Sequence, residues 1–188
     1  MPYVELTDDI LSLLEMALDD NSYESEWYFD RETNKVTFIS DEGDPELEKE
    51  LRRLIEEDTE GERFIYISPL TSSENWQEME DFILEQDGLD DTVQSLLLTT
   101  IRGRGAFQRF QDAIDDAGLR EDWYTYKNRL DRKKALRWLK EHELISDEGV
   151  AKGLKMLDDM VARLKRIEDA KRRMTKGARV ICSETIGH

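Results

Sequence analysis

Two short aromatic-rich runs near the start of the chain do most to limit what it can become. They are Trp27-Tyr28-Phe29 and Val36-Thr37-Phe38-Ile39, separated by the polar stretch Asp30-Arg31-Glu32-Thr33-Asn34. That spacing and composition read as a β-hairpin over residues 25–30 and 35–40. One further run, Arg63 to Ser68 (RFIYIS), has the same character and stops at Pro69, a residue that cannot donate to a strand ladder. Helical spacing surrounds these segments. Thr7 precedes Asp8 and Asp9 and an apolar face of Ile10, Leu11, Leu14 and Leu18, which predicts a helix over residues 7–20. Asp44-Pro45 opens a second helix with the expected buried stripe Leu47, Leu51, Leu54 and Ile55. The order helix–hairpin–helix–strand predicts a small antiparallel sheet of about three strands, with helices on one face.

From Thr71 onward only helical patterns follow. Thr71 with Glu74 has the form of a capping box, and Trp76, Met79, Phe82 and Ile83 form an apolar face behind it. Gly88 separates this helix from a run through Leu96, Leu97, Leu98 and Ile101, and a further helix from Ala106 carries Phe107, Phe110 and Ile114. After Gly118 the segment Trp123-Tyr124-Thr125-Tyr126 leads into a basic helix with Leu130, Leu136, Trp138 and Leu139. Ser146 and Asp147 can cap one last long helix. In it Val150, Leu154, Leu157, Val161 and Leu164 recur by four and three residues. This seam suits packing on the preceding helix or a homodimer through the last helix. The fold class is therefore α+β, with an all-helical C-terminal half. The subdivision is a 1–145 α+β domain and a 146–188 helical C-terminal extension.

Charge divides along the same line. Residues 1–90 hold 28 acids and 6 bases, and residues 91–188 hold 16 acids and 21 bases. The acidic half repels nucleic acid and anionic membrane and favours basic partners. The basic stretch includes Arg163, Lys165, Arg166, Lys171, Arg172 and Arg173, a candidate face for phosphates. A single cysteine, Cys182, leaves no internal disulfide, which suits the cytoplasm. No signal peptide and no membrane span are expected: the longest apolar run, 93–101, is broken by Gln94, Ser95, Thr99 and Thr100.

The motif with most chemical content is Arg102-Gly103-Arg104-Gly105-Ala106-Phe107-Gln108-Arg109-Phe110. Its glycines allow a sharp turn, and a helix follows at once. Three readings are open. It is a helix–turn–helix corner with Phe107 and Phe110 in the core and the arginines paired to local acids. Or Arg102, Gly103, Arg104, Gly105 and Arg109 hold an anion at the helix N-terminus. Or it is a variant of the helix-hairpin-helix DNA motif, with Arg104 and Arg109 where that family has an apolar and a small residue. The Rossmann fingerprint is excluded by Gln108 in place of its third glycine and by the lack of a preceding strand. His142 and His188 have no metal-ligand spacing. Glu78 and Asp81 share a helix face and could hold a divalent ion, a pairing expected by coincidence among 44 acids.

Three stretches resemble the uncharacterised protein family numbered 0158. The first is the hairpin 27–36, where the family tends to have aromatic–Asp–x–x–Thr–Gly and Asn34 stands in place of the Gly. The second is residues 63–67 followed by Trp76, Met79, Glu80, Phe82 and Ile83. The third is Gly103-Arg104-Gly105-Ala106-Phe107 with Arg109 and Phe110, continued by Trp123-Tyr124 and Ala135 to Leu139. The resemblance implies a soluble bacterial protein and brings no mechanism or catalytic residues with it. The leading expectation is a non-catalytic, acidic interaction or regulatory protein of the bacterial cytosol, without cofactor, that meets a protein partner or a second copy. The alternative is a phosphate- or nucleic-acid-binding protein using the Arg-Gly-Arg-Gly turn and the basic C-terminal helix. A metal-dependent hydrolase is the third possibility.

Overall fold

Thr7 caps the first helix as its position suggests: its hydroxyl accepts from the Ile10 amide at 3.3 Å, and α1 runs Asp8–Asp19. The computed structural model describes residues 3–22, 25–40, 43–86 and 89–184, with side chains through 163 and at 166–167. The expected break at Gly88 lies outside the described residues. Strands β1 (Ser25–Asp30) and β2 (Lys35–Ser40) pair antiparallel, with Phe29 opposite Val36 and Trp27 opposite Phe38. Asn34 sits at φ 54 in the turn, the left-handed conformation that Asn tolerates better than other non-glycine residues. The Asp30 carboxylate holds this hairpin to the third strand. It accepts from the Glu32 amide and the Thr33 hydroxyl, and from Arg63 Nε at 3.0 Å and Nη2 at 2.9 Å. Burial opposes its charge, yet these donors outweigh burial and hold the carboxyl below its usual range.

Helix α2 (Pro45–Glu57) is capped by Asp44, and β3 (Phe64–Ile67) pairs antiparallel with β1, giving the order β2-β1-β3. The chain is thus an α+β protein. The expectation of helices on one face needs correcting. Side chains alternate across a strand, so Phe29, Val36, Trp27 and Ile67 share one face, which packs with α1. Ile39 and Phe64 are buried on the other. Helix α2 contacts β2 there, with Leu51, Leu54 and Ile55 half-buried and Glu48 accepting from the Ser40 amide. The sheet is a middle layer.

Four more helices follow: α3 (Ser72–Glu85), α4 (Asp91–Thr100), α5 (Ala106–Asp116) and α6 (Arg120–Glu141). The Thr71/Glu74 capping box is formed at α3. Helix α7 (Asp147–Glu184) then packs on α6. Gly153 meets Leu136 at a point where a β-carbon would collide.

Two apolar cores result. One joins α1 and the sheet to Ala135, Leu136, Trp138 and Leu139 of α6, with Leu144 and Ile145 from the turn. The other gathers Met79, Phe82, Ile83, Leu97, Ile101, Phe110 and Ile114 around Trp123, near the start of α6. Helix α6 therefore serves both cores with different thirds of its length.

Its middle third is ionic. Lys127 Nζ lies 2.9 Å from Asp19, 2.6 Å from Asp131 and 3.2 Å from Glu78 Oε2, and Lys134 pairs with the other Glu78 oxygen. Arg132, only 2% exposed, pairs with Glu15 and reaches Asp8 at 3.5 Å. These bridges tie α1 and α3 to α6 between the two cores. Glu78 is thus engaged with two lysines, while Asp81 accepts from Gln77. Burial pushes the Asp131 and Glu15 carboxyls up, with Lys127 and Arg132 respectively opposing it.

Candidate contact site at the α4–α5 corner

Helix α4 ends where its own carbonyls run out of amide partners. Thr99 and Thr100 bond back to the Ser95 and Leu96 carbonyls, and Trp76 Nε1 donates to the Ile101 carbonyl at 2.7 Å. Gly103 (φ 78) and Gly105 (φ 75) then turn the chain through two left-handed steps, a conformation that favours glycine. Arg109, one turn into α5, sends its guanidinium back into the loop. Nε donates to the Thr100 carbonyl at 3.1 Å and Nη2 to Arg102 at 2.6 Å, and Nη1 donates to the Arg104 carbonyl. Three orphan carbonyls are satisfied by one planar fork.

The five motif residues therefore meet in one turn, with unequal roles. Arg109 is committed to the backbone. The side chains of Arg102 and Arg104 are exposed and make no hydrogen bond or ion pair among the described residues. Phe110 is fully buried, edge-on to Phe82 at 6.2 Å. Phe107, expected beside it in the core, is 47% exposed. The six basic-face residues lie apart from this turn, on α7. Arg163 and Arg166 are exposed, and the side chains of Lys165, Lys171, Arg172 and Arg173 lie outside the described residues.

Beside the turn runs a groove of about 440 Å³ between α4 and α5. Val93, Leu96, Leu97 and Thr100 line it from α4, a spacing that places them on one helical face. From α5 and its C-cap come Ala113 and Ala117, whose small side chains leave the space open, with Arg109, Asp112 and Asp116. Leu96 is 62% exposed there. This arrangement offers a largely apolar slot with charged groups of both signs in its lining, suited to an apolar side chain. Sequence reasoning missed it, although a signal was present. Leu96, Leu97 and Leu98 are consecutive, and three successive residues spread over about 200° of a helix cannot all share one buried face.

Among the described residues, no group of three or more His, Cys, Asp or Glu side chains is placed to hold a metal ion, and no helix is long and apolar enough to cross a membrane. No solved structure matches the chain significantly. A UPF0158 protein of Pseudomonas aeruginosa is 31% identical over 119 residues, covering 62% of this chain and 72% of the relative. The profile of the uncharacterised protein family UPF0158 matches residues 5–163, from the strand-bearing half through the two-glycine turn and past the start of α7. By that match the chain belongs to the UPF0158 family.

Proposed function

We propose that the protein is a non-catalytic interaction or regulatory protein of the bacterial cytosol whose contact site is the α4–α5 groove. The observation that carries this reading is Leu96, 62% exposed on an apolar slot in a chain of which 38% of the residues are charged. An exposed leucine beside a recess lined by Val93, Ala113 and Ala117 gives a partner's apolar side chain somewhere to be buried. In this reading the domain 1–145 presents the groove and 146–188 is the extension; the contact of Gly153 with Leu136 of α6 supports that placement of its described part. The test is capture of partners from a bacterial lysate by the tagged full chain and by Leu96→Glu. A charge in the slot is expected to cut recovery of the wild-type partner set about tenfold or more, equivalent to about 1.4 kcal/mol. Circular dichroism should stay unchanged. Equal recovery by both proteins contradicts the reading.

A second reading keeps the exposed arginines as a phosphate or nucleic-acid contact, with the basic stretch of α7 as a further surface. It is supported by the Arg102 and Arg104 guanidinium groups, which have no partner among the described residues and stand beside two left-handed glycines. It expects binding to RNA, DNA or nucleotide phosphate that weakens steeply with salt and disappears in Arg104→Glu. Fluorescence anisotropy across a salt series measures this, and absent or salt-independent binding removes it.

A further inference from the structure

Two residues on opposite walls of the groove are bonded to each other. Thr100 closes α4, Arg109 stands one turn into α5, and both line the slot. The last carbonyls of a helix lack an intrahelical amide, and Arg109 Nε donates to that of Thr100 at 3.1 Å. The same guanidinium donates to the Arg102 carbonyl at 2.6 Å and to the Arg104 carbonyl. One side chain thus ties the end of α4 and the loop after it to the start of α5. Among the described residues no other side-chain hydrogen bond joins α4 to α5; Trp76 holds the Ile101 carbonyl of this turn from α3. Gly105 makes room for the fork, since a β-carbon there would stand 3.2 Å from Arg109 Nη1.

The tie has a mechanical consequence. Beneath the slot α4 and α5 meet in the second core, through Leu97, Phe110 and Ile114. Apolar packing of this kind tolerates a spread of about 15–20° in the angle between two helices. A planar fork with three fixed acceptors does not. The fork sits at the turn end of the slot, and Val93 lines the same wall about 10 Å further along α4. A small change of angle at the turn is therefore magnified along the walls.

We infer that Arg109 is the positioning residue of the groove: its fork sets the angle between α4 and α5 and holds the slot open in the free protein. A partner's apolar side chain then enters a preformed recess, and binding pays less to order the site. The inference rests on the groove being the contact site, as proposed above, and adds what regulates its shape.

Distances between spin labels test it in the free full chain. Labels go on Ser95→Cys and Gln108→Cys, which are exposed and outside the groove lining, with Cys182→Ser removing the native thiol. A single narrow distance distribution is expected with Arg109 in place. Arg109→Lys keeps the charge and loses the fork, and is expected to broaden the distribution about twofold or more. Gly105→Ala, which crowds the fork without replacing it, is expected to broaden it as well. Circular dichroism confirms that each variant is folded, and a loss of stability alone leaves the folded-state distance unchanged. Recovery of the lysate partners that Leu96→Glu loses should fall about tenfold or more in Arg109→Lys. An unchanged distribution in Arg109→Lys overturns the inference, as does a broadened one with full partner recovery. The groove reading fails separately: if wild type and Leu96→Glu recover the same proteins, the slot is not the contact site, whatever the label distances show.

Discussion

Arg132→Ala is expected to destabilise the protein by about 3 kcal/mol, the low end for breaking a buried ion pair. The side chain is only 3% exposed and serves Glu15 and Asp8 across the α1–α6 contact. Its removal leaves Glu15, 22% exposed, without a counter-charge. The pH dependence follows from the sign of the Glu15 shift. Burial already pushes this carboxyl above its ordinary 4.5, and Arg132 opposes the rise. Without Arg132 the folded-state value climbs further, so the folded protein binds this proton more readily than the unfolded chain does. Stability from this group is then full at low pH and is lost as pH rises through the raised value. Urea unfolding of Arg132→Ala against wild type should show a larger deficit at about pH 8 than at about pH 5. Equal deficits at both would mean that Glu15 is not the group left exposed. The double change Arg132→Met with Glu15→Leu should recover most of the loss, because an apolar pair of similar volume carries no desolvation cost.

Phe82→Ala is expected to cost about 4 kcal/mol, the range for emptying an aromatic site in a closed core. Its ring is fully buried and meets Trp123 at 5.1 Å, Tyr126 at 5.4 Å and Phe110 at 6.2 Å. The more informative expectation is where the loss falls. The two cores meet through α6 and its ionic middle, so damage to one need not open the other. Amide hydrogen exchange should accelerate through α3, α4 and α5 while the β1–β2 ladder keeps its protection. Uniform acceleration across both would show that the cores unfold as a single unit.

The parts of this architecture that were legible in the sequence are those set by local chemistry. Thr7, Asp44 and the Thr71/Glu74 pair announce helix starts because a side-chain oxygen has one geometric use there. The hairpin is fixed by alternation and a five-residue polar turn, and Asn34 fills a left-handed position as its resemblance to the family's glycine implied. What stayed hidden depends on tertiary partners. Helix α6 reads as one basic amphipathic helix. It changes function along its length, with Trp123 in one core, Leu136 and Leu139 in the other, and Lys127, Asp131, Arg132 and Lys134 between. Nothing in periodicity distinguishes an exposed lysine from one engaged by a distant Glu78.

The candidate site divides in the same way. The two left-handed glycines and the helix that follows were readable. That Arg109 turns back onto three carbonyls, leaving Arg102 and Arg104 outward, was not, because an arginine's partner is not written in its spacing. The groove is harder still to read. It exists because Ala113 and Ala117 are small opposite Val93 and Leu97, a pairing between two helices that neither pattern contains alone.

The proposed contact site for another chain is this groove. A photo-crosslinking amino acid placed at position 96 of the full chain, with position 66 as an exposed aromatic control on the sheet, tests it most directly in cells. A covalent protein adduct is expected from position 96 and none from position 66. No adduct at 96, or equal adducts at both, would contradict it.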